Sequence, residues 1–501
     1  MIIIPPNRLT IPGTHSVIVL AISMIVLVNI ASWSDFPTSG NVFSGNACLG
    51  QIPAPYDVFP EANPPYYRVR FEPSTAPGKL TFGANFTAWV PEVPGPIRGV
   101  IVHQHGCGEG SCKSGLTGAY DLHWQALAKK HSCILVSPAY EQPEKADCQL
   151  WCDPRKGSAE AFINALSEFA RLTNHPEISS VPWALWGHSG GGHWCGGMAM
   201  MYPDRVAAAW LRSGVPRVEP LGAQGNIASH PFAQAALRVP IMCNVGTKEG
   251  VSVQDDRFAS VWPASLEFFH NLRSRGGLVA TSVDPLTSHE CGNQRYLAIP
   301  WFDECLTMRL PSAINQPLLD IQANRGWLAP SGGQAPVSSE SAPSNDETLT
   351  WSWLPSERFA KQWTVYSKDS TVPDDSPPPS PTDAWLEFDP LKGTVLRWKC
   401  EADLESGLAQ FVIERDGEVI ARIPEKQNNP FGRSLFQGLQ YSDTPPQPLS
   451  TMEFVDAKSQ AGQIDTSDPQ TAKRYIYRIH AINTVGKPSE KTQFVQSQST
   501  P

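Results

Sequence analysis

From about residue 66 to residue 310, short and nearly uninterrupted apolar runs alternate with helical patterns, and this alternation restricts the chain more than any other feature. A strand that is apolar at every position must be covered on both faces, whereas an open face shows polar residues at every second position. "RGVIVHQ" (98–104), "CILVSPAY" (133–140), "WALWG" (183–187), "VAAAWLRSG" (206–214), "VPIMCNVG" (239–246) and "GLVATSVD" (277–284) are runs of the covered kind. Helical patterns at 121–131, 158–175, 193–202 and 255–275 lie between them. The alternation predicts an α/β domain with a doubly wound, mostly parallel sheet and helices on both faces. Two earlier runs, "YYRVRF" (66–71) and "LTFGANFTAWV" (80–90), are expected as strands, an antiparallel pair.

The pattern changes near residue 330. "APSGGQAPVSSESAPSNDET" (329–348) has the composition of a flexible linker, and "PDDSPPPSPTD" (373–383) that of a stiff polyproline spacer. A short amphipathic helix is expected between them, over 356–368. From about 384 the chain reads as all-β: "TVLRWKC" (394–400) alternates, "AQFVIERDGEVIARI" (409–423) is a hairpin around Asp416-Gly417, and "RYIYRIHAIN" (474–483) alternates again. Trp398 and "YIYRIHAINTVGKPS" (475–489) resemble the core tryptophan and late-strand pattern of a fibronectin type III module, with one extra residue between Gly486 and Ser489. That resemblance implies a C-terminal all-β sandwich and no chemistry.

A chain of 501 residues needs more than one core. The expected division is a signal peptide or N-terminal anchor at 1–34, an α/β catalytic domain at 35–328, a Pro/Ser-rich linker with a short helix at 329–383, and the sandwich at 384–498. The formal net charge is -9 and no long basic run occurs, which excludes nucleic acid as a partner. Arg8 followed by the apolar run 16–32 fits a secretory signal, with Ala31 and Ser32 as a cleavage point. A retained anchor is the alternative, and only then is a membrane a partner; either way the remainder is expected outside the cytoplasm. The 11 cysteines agree, several standing in near pairs (Cys107/Cys112, Cys148/Cys152, Cys291/Cys305) that an oxidising compartment turns into disulfides. Their connectivity is open. Cys400 is expected as a buried thiol, and "NFT" at 85–87 is a glycosylation sequon.

The chemistry centres on "WALWGHSGGGHWC" (183–195). Gly187-His188-Ser189-Gly190-Gly191 satisfies G-x-S-x-G between a strand-type run and a helical one, the context in which a sharp turn projects a serine hydroxyl. Such a hydroxyl needs a base and a carboxylate behind it. His289 follows a buried-type strand and precedes a helix, so it is chosen over His193, His230 and His270. Glu249 lies just past the strand 239–246 and is chosen over Asp255 and Asp256, which read as acids at a helix start. Backbone N–H groups of Cys107, in "VHQHGCGEGSC" (102–112), and of Gly190 are the expected oxyanion donors. Tyr140, Trp151 and Trp194 are candidates for lining an acyl or sugar pocket. Metal binding by His103, His105 and nearby cysteines is the competing reading of that segment; no metal or cofactor is assigned.

The order serine, acid, histidine, with the oxyanion segment before them, resembles the α/β-hydrolase superfamily over about residues 66–310. Within it, "SHECGNQRYLAIPWFDECL" (288–306) is similar to secreted feruloyl and acetyl-xylan esterases and polyhydroxyalkanoate depolymerases. The resemblance implies a serine carboxylic-ester hydrolase acting on an acylated polysaccharide or another polymeric ester. Glutamate stands where many of those relatives carry aspartate. A serine peptidase on the same fold and a non-catalytic binding protein remain as alternatives.

Overall fold

An apolar strand covered on both faces sends its alternate side chains into two different cores, and the computed structural model shows both. It describes residues 52–496 apart from 61, 255–256, 286, 331–333, 390, 428, 449–451 and 460–474. The segment expected as signal or anchor lies outside the described residues, as do Asp255 and Asp256. β1 (Tyr66–Phe71), β2 (Ala84–Trp89), β3 (Gly99–Gln104), β4 (Cys133–Tyr140), β5 (Trp183–His188), β6 (Val206–Arg212), β7 (Ile241–Gly246) and β8 (Val279–Asp284) form one sheet in the order β1-β2-β4-β3-β5-β6-β7-β8. β1 with β2 and β2 with β4 are antiparallel; every further neighbour is parallel. This order, with its antiparallel second strand, is that of the α/β-hydrolase fold.

The helices are α1 (Glu109–Ser114), α2 (Leu122–Lys130), α3 (Gln149–Cys152), α4 (Ser158–Thr173), α5 (Gly190–Met201), α6 (Val261–Arg273) and α7 (Arg295–Arg309). Val100 and Val102 of β3 share one core with Phe162 of α4 and Trp194 of α5, while Ile101 between them enters the other with Trp124 of α2 and Phe302 of α7. The period of two thus sorts each strand between the layers. Each fully buried large side chain contributes about 1.5–3 kcal/mol. α2 starts where Asp121 accepts hydrogen bonds from the N–H groups of His123 (2.9 Å) and Trp124 (3.1 Å).

The stretch with linker composition is not a free linker. β9 (Trp327–Ala329), β10 (Val337–Ser338) and β11 (Ser352–Leu354) pair in the order β10-β9-β11, and α8 (Glu357–Asp369) follows. Trp353, Leu354 and Phe359 are buried in the second core, and the Trp363 indole donates to the Thr281 carbonyl of β8 at 2.9 Å. Large apolar residues spaced through a Pro/Ser-rich background dock the segment, against what average composition predicts. The proline run 373–383 lies along the sandwich, where Glu405 accepts from the N–H groups of Asp375 (2.9 Å) and Ser376 (3.1 Å).

The C-terminal region contains β12 (Thr382–Asp389), β13 (Gly393–Lys399), β14 (Gln410–Arg415), β15 (Glu418–Ile423), β16 (Met452–Asp456), β17 (Tyr477–Ile482), β18 (Thr492–Gln493) and β19 (Val495–Gln496). They form two sheets, β16-β13-β12-β19 and β15-β14-β17-β18, antiparallel except for β12 with β19. Trp398, Phe411, Ile413, Tyr477 and Ile479 fill the space between. Asp416 and Gly417, at φ 52° and 88°, make the hairpin turn whose twist matches the strands. The connection from β15 to β16 leaves the sandwich: Gln437 accepts from the Leu122 N–H at 2.9 Å and donates to the Tyr120 carbonyl at 2.7 Å.

Candidate active site

Ser189 sits between the end of β5 and the start of α5 at φ 54°, ψ -116°. A positive φ is strained for a side chain with Cβ, by about 1–3 kcal/mol, and persists only where the surroundings enforce it. Here they do. A Cβ on Gly187 would lie 2.2 Å from the Gly191 carbonyl oxygen, so strand and helix close on each other only because that position is bare. The Ser189 N–H donates to the Arg212 carbonyl at 2.7 Å and pins the turn to the end of β6.

The three residues chosen for their places at strand ends come together. His289 Nε2 is 2.9 Å from Ser189 Oγ, and its Nδ1 is 2.6 Å from Glu249 Oε1. A carboxylate only accepts, so Nδ1 carries the ring proton and Nε2 is left to accept from the serine hydroxyl. Glu249 is fully buried, and its other oxygen accepts from the Gly246 N–H (2.7 Å) and the Ser213 hydroxyl (2.6 Å). Burial is the largest influence on its carboxyl and acts upward; the His289 hydrogen bond, the Arg212 charge and the Ser213 hydroxyl outweigh it and hold Glu249 below its ordinary value. Arg212, also buried, donates to the Ser288 carbonyl at 2.9 Å and to that of Glu290, fixing the backbone on either side of His289.

Cys107 borders the serine turn: a Cβ on Gly190 would lie 2.3 Å from its sulfur. Among the described residues no acceptor takes the N–H of Cys107 or of Gly190. Cys107 is bonded to Cys148. The near pairs expected from spacing are therefore wrong: Cys112, Cys152, Cys291 and Cys305 are buried free thiols, as is Cys400. Closeness along the chain misled there: the partner of Cys107 is 41 residues away. His105 Nδ1 donates to the Gly106 carbonyl at 2.7 Å and its Nε2 accepts from the Tyr140 N–H at 3.3 Å, while His103 stacks on Trp186 at 3.9 Å.

Tyr140, Trp151 and Trp194 do not line a pocket. All three are fully buried, Tyr140 stacked on Trp151 at 4.7 Å, with the Trp151 indole donating to Gln142 Oε1 (2.6 Å) and that of Trp194 to Ser158 Oγ (3.1 Å). Their proximity to the motifs reflects core packing behind the turn. Of the other histidines, His193 and His230 are buried near Asp153 and each is lowered to about 4, by burial first; His270 is exposed on α6. Sequence reasoning passed over Ser213 and Phe258. Ser213 follows β6 as Glu249 follows β7, so the strand-end signal reaches it. Phe258, stacked on His289 at 3.9 Å with 5° between the planes, has no local pattern to announce it.

No family model and no curated protein matches this chain. Solved structures similar to it include a thermostable esterase (15% identity, TM-score 0.30, 44% of this chain and 55% of that one). Poly(aspartic acid) hydrolase-1 from Sphingomonas sp. KT-1 is similar at 17% identity and TM-score 0.32, over 45% of this chain and 93% of that one. A fluorophosphonate-binding serine hydrolase of Staphylococcus aureus is similar at 15% identity and TM-score 0.30, over 45% and 91%. The likeness is one of fold.

Proposed function

We propose that the chain is an exported serine hydrolase of carboxylic esters working through an acyl-enzyme. One observation carries the reading: the unbroken hydrogen-bond line Ser189 Oγ, His289, Glu249, at 2.9 and 2.6 Å, on a turn that holds the serine at positive φ. Ser189 Oγ attacks the ester carbonyl as its proton passes to His289 Nε2. The oxyanion forms beside the N–H groups of Cys107 and Gly190, and α5 adds the partial positive charge of its N-terminus. Collapse expels the alcohol, which takes the proton from His289. Water then delivers a proton to the same nitrogen as it attacks the acyl-serine, and that proton passes back to Ser189 Oγ as the acid leaves. Glu249 keeps the imidazole in one tautomer throughout.

An acylated polysaccharide or another polymeric ester, as the likeness to feruloyl and acetyl-xylan esterases and polyhydroxyalkanoate depolymerases implies, is the proposed substrate. Ser189 is half-buried rather than enclosed, which supports access by a bulky ester. The apolar run 16–32 and the Cys107–Cys148 bond support export. The sheet orders β16-β13-β12 and β15-β14-β17-β18 support a fibronectin type III-like sandwich.

The test is fluorophosphonate labelling with peptide mapping, alongside turnover of p-nitrophenyl acetate and of a chromogenic peptide. Label on Ser189 and ester turnover, both lost in Ser189→Ala, are expected. Label on another serine, or undiminished ester turnover in the variant, overturns the reading; cleavage of the peptide alone makes the chain a peptidase.

A further inference from the structure

The connection between β15 and β16 reaches the histidine of the candidate site, and its polar contacts there are buried. Ser442, Asp443 and Thr444 are completely inaccessible to solvent. Ser442 Oγ is 3.0 Å from His188 Nδ1, and His188 Nε2 is 2.7 Å from the carbonyl oxygen of His289. A carbonyl can only accept, so His188 Nε2 carries the proton, Nδ1 is left as the acceptor, and the Ser442 hydroxyl must donate to it. Ser111 Oγ, 3.3 Å from Ser442 Oγ, supplies a second hydroxyl contact. Two residues further along the histidine loop, the Cys291 N–H donates to the Tyr441 carbonyl at 3.2 Å. The connection therefore grips residues 289–291 at two backbone groups, one directly and one through His188.

Asp443 anchors this grip. Its carboxylate accepts from Arg295 Nε (2.9 Å) and the Trp124 indole (3.0 Å), and its carbonyl accepts from Arg295 Nη2 (3.1 Å). Arg295 continues to Asp121 at 2.7 Å, so the connection is bolted to the starts of α2 and α7. The aromatic ring of Tyr441 stands 5.6 Å from that of His188 and 6.4 Å from that of His289.

We propose that Ser442, contributed by the C-terminal sandwich, is a positioning residue for His289, acting through His188. The inference rests on the serine-hydrolase reading above and extends it: the variable residue of the G-x-S-x-G turn becomes the relay, and the sandwich becomes part of the site instead of a separate module. A hydroxyl that aims a carbonyl held by one further bond is worth about a single hydrogen bond, or three- to tenfold in rate.

The experiment uses the full chain and p-nitrophenyl acetate. Ser442→Ala is expected to lower kcat about three- to tenfold with KM unchanged, and to slow fluorophosphonate labelling of Ser189 by the same factor. Ser442→Thr, which keeps the hydroxyl, is expected to stay within about twofold of the parent chain. His188→Asn should lower kcat as well, and adding Ser442→Ala to it should cost nothing more, because the relay is already cut. A merely structural serine would give additive losses. Additivity, or a kcat for Ser442→Ala within about twofold of the parent, overturns the proposal. Ser189→Ala separates the two readings: if it retains turnover, the hydrolase assignment itself falls, whatever Ser442 does.

Discussion

The serine turn and the β15–β16 connection meet at one histidine and are built in opposite ways. The turn is local: β5, a strained Ser189 and α5 follow one another directly, and bare Gly187 lets them close. The connection comes from far away, with Ser442 separated from His188 by 254 residues, and its contacting part has no helix or strand. Apolar periodicity places the first; buried polar pairing places the second. The difference teaches that reacting groups can be set by a short pattern while their aim is set by a remote segment, at the cost of desolvating ions.

On the local side the largest effect is expected from Glu249→Gln. An amide has one acceptor where the carboxylate offers two, and both oxygens are in use, toward His289 and toward Gly246 and Ser213. Turning NH₂ toward His289 forces the ring into the tautomer with Nε2 protonated, which cannot take the Ser189 proton. The kcat for p-nitrophenyl acetate should fall about 10⁴-fold with the urea midpoint little changed. A fall below about tenfold would mean that the carboxylate does not select the tautomer, and the local half of the comparison would fail.

On the remote side Asp443→Ala is expected to cost about 3–5 kcal/mol of folding stability, read from urea unfolding, because it leaves Arg295 buried with one partner fewer. The pH dependence has a definite sign. Burial pushes Asp443 up, but Arg295 first and His103 next outweigh it and hold the carboxyl at about 2, below its ordinary 3.8. A depressed folded value means stability that is fully present above about pH 4 and lost as pH falls through about 2. The parent chain should therefore lead the variant by a constant margin at neutral pH and by a shrinking one below about pH 4. A margin that is flat down to about pH 2 would show that the carboxylate's charge is not what anchors the connection.

What was legible in the sequence follows the same division. Strand runs at 98–104, 133–140, 183–187, 239–246 and 277–284 could be read because a doubly covered strand has almost no choice of residue. Ser189, Glu249 and His289 could be picked out because each stands just beyond such a run. The docking of 327–329 and 351–366 was hidden, since Trp353, Leu354 and Phe359 are too few to lift a Pro/Ser-rich average. Cys107 with Cys148 was hidden because partners in space were not partners in spacing. Asp443 and Ser442 lie in "QYSDTPP", a stretch that reads as an ordinary turn; only Arg295 at the start of α7 and His188 at the end of β5 give it meaning.

The smallest effect sharpens the comparison from within the contact itself. Lys129 of α2 pairs with Glu401 of the sandwich, so this ion pair, like Asp443 with Arg295, ties the C-terminal region to the α/β region. Its side chains are 43% and 53% exposed, whereas those of Arg295 and Asp443 are 1% and 0% exposed. Water and salt already satisfy the exposed charges, and holding two long side chains in one geometry costs conformational entropy. Lys129→Ala should therefore change stability by less than about 0.5 kcal/mol in urea unfolding at 0.15 M salt, and leave kcat unaltered. A loss close to that of Asp443→Ala would show that burial is not what separates the two pairs, and that the connection holds the histidine no more tightly than the surface does.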